Sequence, residues 1–267
     1  MLETIILGVI QGITEWLPVS SEGLVAATST LLFNNDPSTS IGITLWLHIG
    51  TACSAIVVFK KKILQIIKQF VTSPKKPTNE TTFLIISTIV SALIGLPILI
   101  LIKEAVSTEL LQNSTGIFTA IIGIFMVASG LIMRNKNITP KKNIDNINKL
   151  DALITGIAQG LSAIPGLSRS GLTTSVLLIR GTGKKDALTL SFLIAIPATI
   201  GAGLYSVLSD SITLSIENCI GLVVSFITGL ITIKILLRLA EKINFGNFVF
   251  LIGLTLIFGS ILLLQNF

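Results

Sequence analysis

Apolar residues fall into long unbroken runs along this chain. The runs at 83–102, 116–133 and 246–264 hold no charged residue, and each approaches the roughly 20 residues with which a helix crosses about 30 Å of hydrocarbon. Crossings are predicted near 41–59, 82–102, 116–133, 186–208, 216–236 and 246–265. So many spans make a polytopic all-α membrane protein rather than a singly anchored one. The first residues, MLETIILGVIQGITEW, place Glu3 and Glu15 among apolar residues with no basic start. They do not read as a cleavable signal peptide and are kept in the fold.

Two stretches break the pattern. Residues 4–40 are interrupted at Trp16-Leu-Pro-Val-Ser-Ser-Glu-Gly23, and residues 152–180 at Ala163-Ile-Pro-Gly-Leu-Ser-Arg-Ser-Gly171. Proline removes a backbone donor and glycine weakens a helix. The basic residues orient the rest. Connection 60–80 carries Lys60, Lys61, Lys62, Lys68, Lys75 and Lys76, and connection 134–151 carries Arg134, Lys136, Lys141, Lys142 and Lys149. Both are expected on the cytoplasmic side, whereas 103–115 and 209–217, poor in Lys and Arg, are expected outside. Residues 152–180 then begin and end inside, and residues 4–40 begin and end outside. Each is expected to be a re-entrant helical hairpin, because irregular backbone at membrane depth survives where protein or a wet cavity surrounds it.

The hairpins also match each other. Gly8-Val-Ile-Gln-Gly-Ile-Thr-Glu15 aligns with Gly156-Ile-Ala-Gln-Gly-Leu-Ser-Ala163. A hairpin plus three crossings, twice over, predicts a single membrane domain spanning 1–267, built as an inverted-topology repeat with halves of approximately 1–140 and 150–267. The broken helices of such repeats meet near the midplane and build the site there.

Composition agrees: 51% of residues are hydrophobic and 12% charged, against about 25% charged in soluble domains, and the mean hydropathy is +0.88. The net charge of +6 resides in loops beside the spans, so orientation in the membrane accounts for it and nucleic acid is not an expected partner. Cys53 and Cys219 lie in apolar segments without metal-binding or redox spacing, and are expected to be small buried hydrophobes.

Glu15 and Arg169 are ionisable residues at membrane depth, where insertion costs roughly 2.5 to 3.5 kcal/mol for such side chains. Gln11 lies one turn before Glu15 on the same helix face. Arg169 is flanked by Ser168 and Ser170, with Thr173 and Thr174 one turn on, and Ser20 and Ser21 stand in the first break. A guanidinium with hydroxyls and helix-start N–H groups suits a phosphate; a buried ion pair joining the halves, with hydroxyls acting as caps, is the plainer alternative. His48, the one histidine, is expected to hydrogen-bond a neighbouring helix rather than act as a base. There is no nucleotide loop, aspartyl-phosphate pair or zinc cluster.

Gln11-Gly-Ile-Thr-Glu-Trp-Leu-Pro-Val-Ser-Ser21 resembles the acidic element and LPVSS turn of the undecaprenyl-pyrophosphate phosphatase family. Pro165-Gly-Leu-Ser-Arg-Ser-Gly-Leu-Thr173 is similar to that family's PGxSRSxxT element. Supporting similarity runs through Leu47-His-Ile-Gly-Thr51, Arg180-Gly181 and Ser191-Phe-Leu-Ile-Ala-Ile-Pro197. The resemblance implies hydrolysis of undecaprenyl diphosphate to the monophosphate, recycling the lipid carrier of cell-envelope glycans in the cell membrane, from a site opening to the extracytoplasmic side. It makes Glu15, Ser21 and Arg169 the catalytic residues. Gln11, Ser20, Ser168, Arg169, Ser170 and Thr173 would bind the substrate phosphates. Leu24 stands where the family usually has histidine, and Glu22 where it has threonine; either that histidine is dispensable or the chain takes a variant lipid.

Two routes stay open. Ser21 attacks phosphorus with Glu15 as base, or Glu15 helps to hold a divalent cation, Mg²⁺ or Ca²⁺, whose bound water attacks. Expected partners are the polyprenyl diphosphate, membrane lipids and, in a homodimer, a second copy of the chain. The rival function is a lipid flippase or transporter, since inverted repeats with broken helices also build carriers.

Overall fold

The long apolar runs fold as helices because a helix satisfies its own backbone hydrogen bonds where no water can. The computed structural model describes residues 1–106, 115–134, 142–239 and 246–265. Among these, helices α1 (Leu2–Thr14), α2 (Ser21–Phe33), α3 (Pro37–Val58), α4 (Lys60–Thr72), α5 (Asn79–Val106) and α6 (Thr115–Arg134) precede a single 3₁₀ turn, Ile144–Asn146. Helices α7 (Lys149–Leu161), α8 (Arg169–Ile179), α9 (Lys184–Leu208), α10 (Ile216–Leu239) and α11 (Gly246–Gln265) follow. Parts of the expected loops 103–115 and 134–151, at 107–114 and 135–141, lie outside the described residues.

Capping chemistry sets the boundaries. Ser20 accepts from the Gly23 N–H to begin α2, and Asn34 ends it in the left-handed region at φ 56°. Asp36 caps α3, which has proline in its first turn, where the missing N–H costs nothing. Asn148 and Asp151 form a reciprocal capping box on α7, and Ser168 caps α8 by accepting from the Gly171 N–H at 3.1 Å. Both expected hairpins are thus a short helix, a turn and a second short helix, α1–α2 and α7–α8, neither helix long enough to span.

Among the described residues, four helices are long and apolar enough to cross a membrane: Pro37–Val58, Asn79–Ala105, Lys184–Leu208 and Ile216–Arg238. The 20-residue α6 and α11 coincide with two further expected crossings. The most apolar windows of α3 and α9 are 61% and 56% buried, those of α5 and α10 only 17% and 28%. The pair α3 and α9 therefore forms the centre, and α5 and α10 face lipid. Helix α1 packs on α10, α7 on α5, and α6 on α11.

The repeated glycines explain two of those contacts. A Cβ at Gly8 would stand 2.5 Å from Gly221 O of α10, and one at Gly12 would stand 2.7 Å from Gly229 N. On α7, a Cβ at Gly156 would lie 2.8 Å from Val90 Cβ and one at Gly160 2.6 Å from Ile94 Cβ, both on α5. Each broken helix thus uses small residues four apart to bring a neighbouring backbone close, as membrane helices do.

Two expectations need correcting. The 60–80 connection is not simply a basic loop: α4 occupies Lys60–Thr72 with no buried residue. Leu64, Ile67 and Val71 share one exposed face, while on the other side Lys62 pairs with Glu80 at 2.8 Å. This is the pattern of a helix that lies along a membrane interface. Cys53 of α3 is only half-buried, and Cys219 of α10 is exposed, because the surface of α10 is apolar without having to be covered by protein.

Candidate active site

The two breaks in the hairpins meet. Ser170 Oγ donates to Leu17 O at 2.6 Å across the junction. The Arg169 guanidinium lies 5.6 Å from the centroid of the Trp16 ring, and Trp16 packs edge-on against Phe192 of α9, centroids 5.0 Å apart. A cation held over an indole face gains about 0.5 to 2 kcal/mol. The prolines and glycines that break the helices therefore let α2 and α8 start beside one another, each presenting the N–H groups of a helix start, which attract anions.

Glu15 sits at the end of α1 and is buried. Its Oε2 accepts from Gln11 Nε2 at 2.8 Å and from Ser21 Oγ at 2.7 Å, while its Oε1 receives the Arg169 guanidinium. Arg169 also donates to Ser191 O of α9 at 3.4 Å. A cavity of about 180 Å³ opens beside this cluster. Glu15, Ser20, Ser21, Arg169 and Ser170 line it on one side, and apolar Leu96, Leu99, Ala198 and Ala202 of α5 and α9 on the other.

Gln11, Ser168 and Thr173 stand behind that wall. Gln11 holds Glu15, Ser168 caps α8, and Thr173 bonds Arg169 O at 2.8 Å and Ser191 Oγ at 2.6 Å. Thr174, whose hydroxyl belonged to the expected set, is outside the cavity lining and its Oγ1 is buried without a hydrogen-bond partner among the described residues.

Two residues join the site that motif reading did not place there. His48 of α3 donates from Nδ1 to Thr44 O at 2.7 Å, a bond within its own helix rather than to a neighbouring one. Its Nε2, however, reaches Glu15 Oε2 at 3.3 Å and Glu22 Oε1 at 3.7 Å, and both His48 and Glu22 line the cavity. Glu22 was visible beside Ser21 as a departure from the motif. No local signal ties His48 to a turn so distant in the chain.

The model of the bacitracin resistance protein BacA family matches residues 4–261. The chain belongs to this family. It is 38% identical over 253 residues to a protein of Methanococcoides burtonii named undecaprenyl-diphosphatase, covering 92% of this chain and 93% of that one. Proteins of the same name from Haloarcula marismortui and Saccharolobus solfataricus are 34% and 33% identical, over 92% and 97% of this chain and 92% and 95% of theirs. In this member of the BacA family, Leu24 packs beside an apolar cluster containing Val19, Ala26, Ile122 and Met126. The imidazole near the turn that carries Ser21 comes instead from α3.

Proposed function

We propose that the chain hydrolyses undecaprenyl diphosphate, or a polyprenyl diphosphate of the same chemistry, to the lipid monophosphate and inorganic phosphate, with Ser21 as nucleophile. The relatives named undecaprenyl-diphosphatase support the reaction. The observation that carries the mechanism is the 2.7 Å hydrogen bond from Ser21 Oγ to Glu15, in a cavity that also holds Arg169. Ser21 gives its proton to Glu15 as Oγ attacks the terminal phosphorus; the bridging P–O bond breaks and the lipid monophosphate leaves with its electrons. Arg169, released from Glu15 as that carboxylate is neutralised, pairs with the phosphoryl oxygens, joined by N–H groups at the starts of α2 and α8. Water then attacks the phosphoserine, and Ser21 recovers its proton.

The same geometry speaks to the cation. Both Glu15 oxygens already accept from Arg169, Gln11 and Ser21. Among the described residues no three His, Cys, Asp or Glu side chains are arranged to hold a metal ion. The donors fit Mg²⁺ or Ca²⁺ poorly. A carrier would need neither a serine–carboxylate pair nor a phosphoryl intermediate. The apolar side of the cavity, on α5 and α9, is suited to the start of a prenyl tail, and the lysine-poor 209–217 connection supports a mouth on the extracytoplasmic side.

Purified protein in detergent, given a polyprenyl diphosphate, should release phosphate, and rapid quenching should trap phosphate on Ser21. Absence of phosphate release would reject the function, and release with full activity in Ser21→Ala would reject the nucleophile.

A further inference from the structure

His48 Nδ1 faces a backbone carbonyl, which can only accept, so this nitrogen carries a hydrogen. On its other side Nε2 faces two carboxyl groups, Glu15 and Glu22. Were all three groups in their most basic forms, a nitrogen lone pair would point at oxygen lone pairs in a buried site. A proton on Nε2 or on the Glu22 carboxyl relieves that opposition. Counting it, Glu15, Glu22, Arg169 and His48 sum to no net charge, as a site at membrane depth favours. Both His48 and Glu22 border the cavity with Ser21.

We propose that His48 and Glu22 together form the general acid of this chain, donating their shared proton to the oxygen of the departing lipid phosphate. The proposal rests on the covalent reading above. As the P–O bond breaks, the leaving oxygen takes the pair's proton. The pair is refilled across the His48–Glu15 contact by the proton that Glu15 took from Ser21. In the second half, the attacking water gives its proton to Glu15, which returns one to Ser21, so the site ends as it began. Glu15 from α1 and Glu22 from α2 face the imidazole directly, and Arg169 from α8 faces it through Glu15. No ion pair reaches His48 from α9 or α10 among the described residues.

The test compares leaving groups. Glu22→Gln and His48→Gln, each checked for unchanged thermal unfolding in detergent, should lose on the order of 10²-fold in kcat on a polyprenyl diphosphate, the low end for general acid–base catalysis, because a phosphate monoester is already a fair leaving group. On 2,4-dinitrophenyl phosphate, whose phenolate departs without a proton, both should stay within a few-fold of wild type. On the lipid substrate the wild-type rate should fall as rising pH removes the shared proton, and Glu22→Gln should flatten that alkaline limb. Equal losses on both substrates, or an unchanged alkaline limb in Glu22→Gln, would overturn the proposal. Turnover by Ser21→Ala would instead strike the covalent reading and leave the leaving-group comparison intact.

Discussion

Ser21 Oγ donates to Glu15 Oε2 at 2.7 Å although one residue ends α1 and the other begins α2. The proposed nucleophile and base thus meet only because the helix breaks between them. Ser21→Ala should remove turnover while leaving lipid binding close to wild type, since one hydroxyl contributes little to holding a long apolar tail. Glu15→Gln should retain a residual rate, reduced about 10² to 10⁴-fold. Single-turnover kinetics with equilibrium binding separate the two effects.

Arg169 bridges Glu15 and the Ser191 carbonyl and lies against Trp16. Lysine keeps the charge but not the planar fork. Arg169→Lys should lower kcat/KM on the order of 10²-fold, as removal of one transition-state donor does. Wild-type kcat/KM in that variant would make Arg169 a purely structural partner.

The close crossing of α1 and α10 makes a stability prediction. Gly12→Ala would drive a methyl against backbone atoms of Ser225 and Gly229, and overpacking of this kind costs about 1 to 3 kcal/mol. Gly201→Ala meets nothing within 4 Å and should leave thermal unfolding unchanged. Similar midpoints for the two variants would contradict the packing described.

Asp151, at the start of α7 and outside the six crossings, accepts from Arg180 Nε at 2.6 Å, Lys142 Nζ at 2.9 Å and the Asn148 N–H at 3.0 Å. Burial pushes its carboxyl up, but these hydrogen bonds outweigh burial and hold it below the usual carboxylate range. A carboxyl lowered in the folded state stabilises the fold above its unfolded value, about 3.9, and that stabilisation drains as the pH falls through the lower folded value. Asp151→Asn should cost on the order of 2 kcal/mol at neutral pH, because the partly exposed Lys142 and Arg180 regain some water. Acidification below about pH 4 should then destabilise the wild type more steeply than the variant, as unfolding midpoints measured against pH will show.

Features written locally were legible in the chain. Apolar runs of spanning length marked the crossings, and proline and glycine marked the turns. The paired Gly8/Gly12 and Gly156/Gly160 spacing anticipated two helices playing similar packing parts. The Glu15–Ser21 pairing followed from one short motif. What escaped depends on three-dimensional placement. A serine or threonine beside an arginine reads the same whether it caps a helix, as Ser168 does, or lines a cavity, as Ser170 does. His48 meets Glu22 through packing of α3 against α2, which no spacing announces. The lysines of 60–68 masked an apolar stripe at Leu64, Ile67 and Val71, whose three- to four-residue rhythm was present but outweighed by charge.

The burial of Trp16 has an optical consequence. Of the two tryptophans in the chain, Trp46 already spends its indole N–H on the Asn218 carbonyl at 2.9 Å. Trp16 is fully enclosed, its N–H has no partner among the described residues, and the Arg169 cation rests against its ring. A Trp46→Phe protein would emit from this single buried indole, and any anion that draws the guanidinium away would change the field across the chromophore. Intrinsic fluorescence of the unlabelled chain thereby becomes a direct readout of phosphate arriving at the junction of the two hairpins.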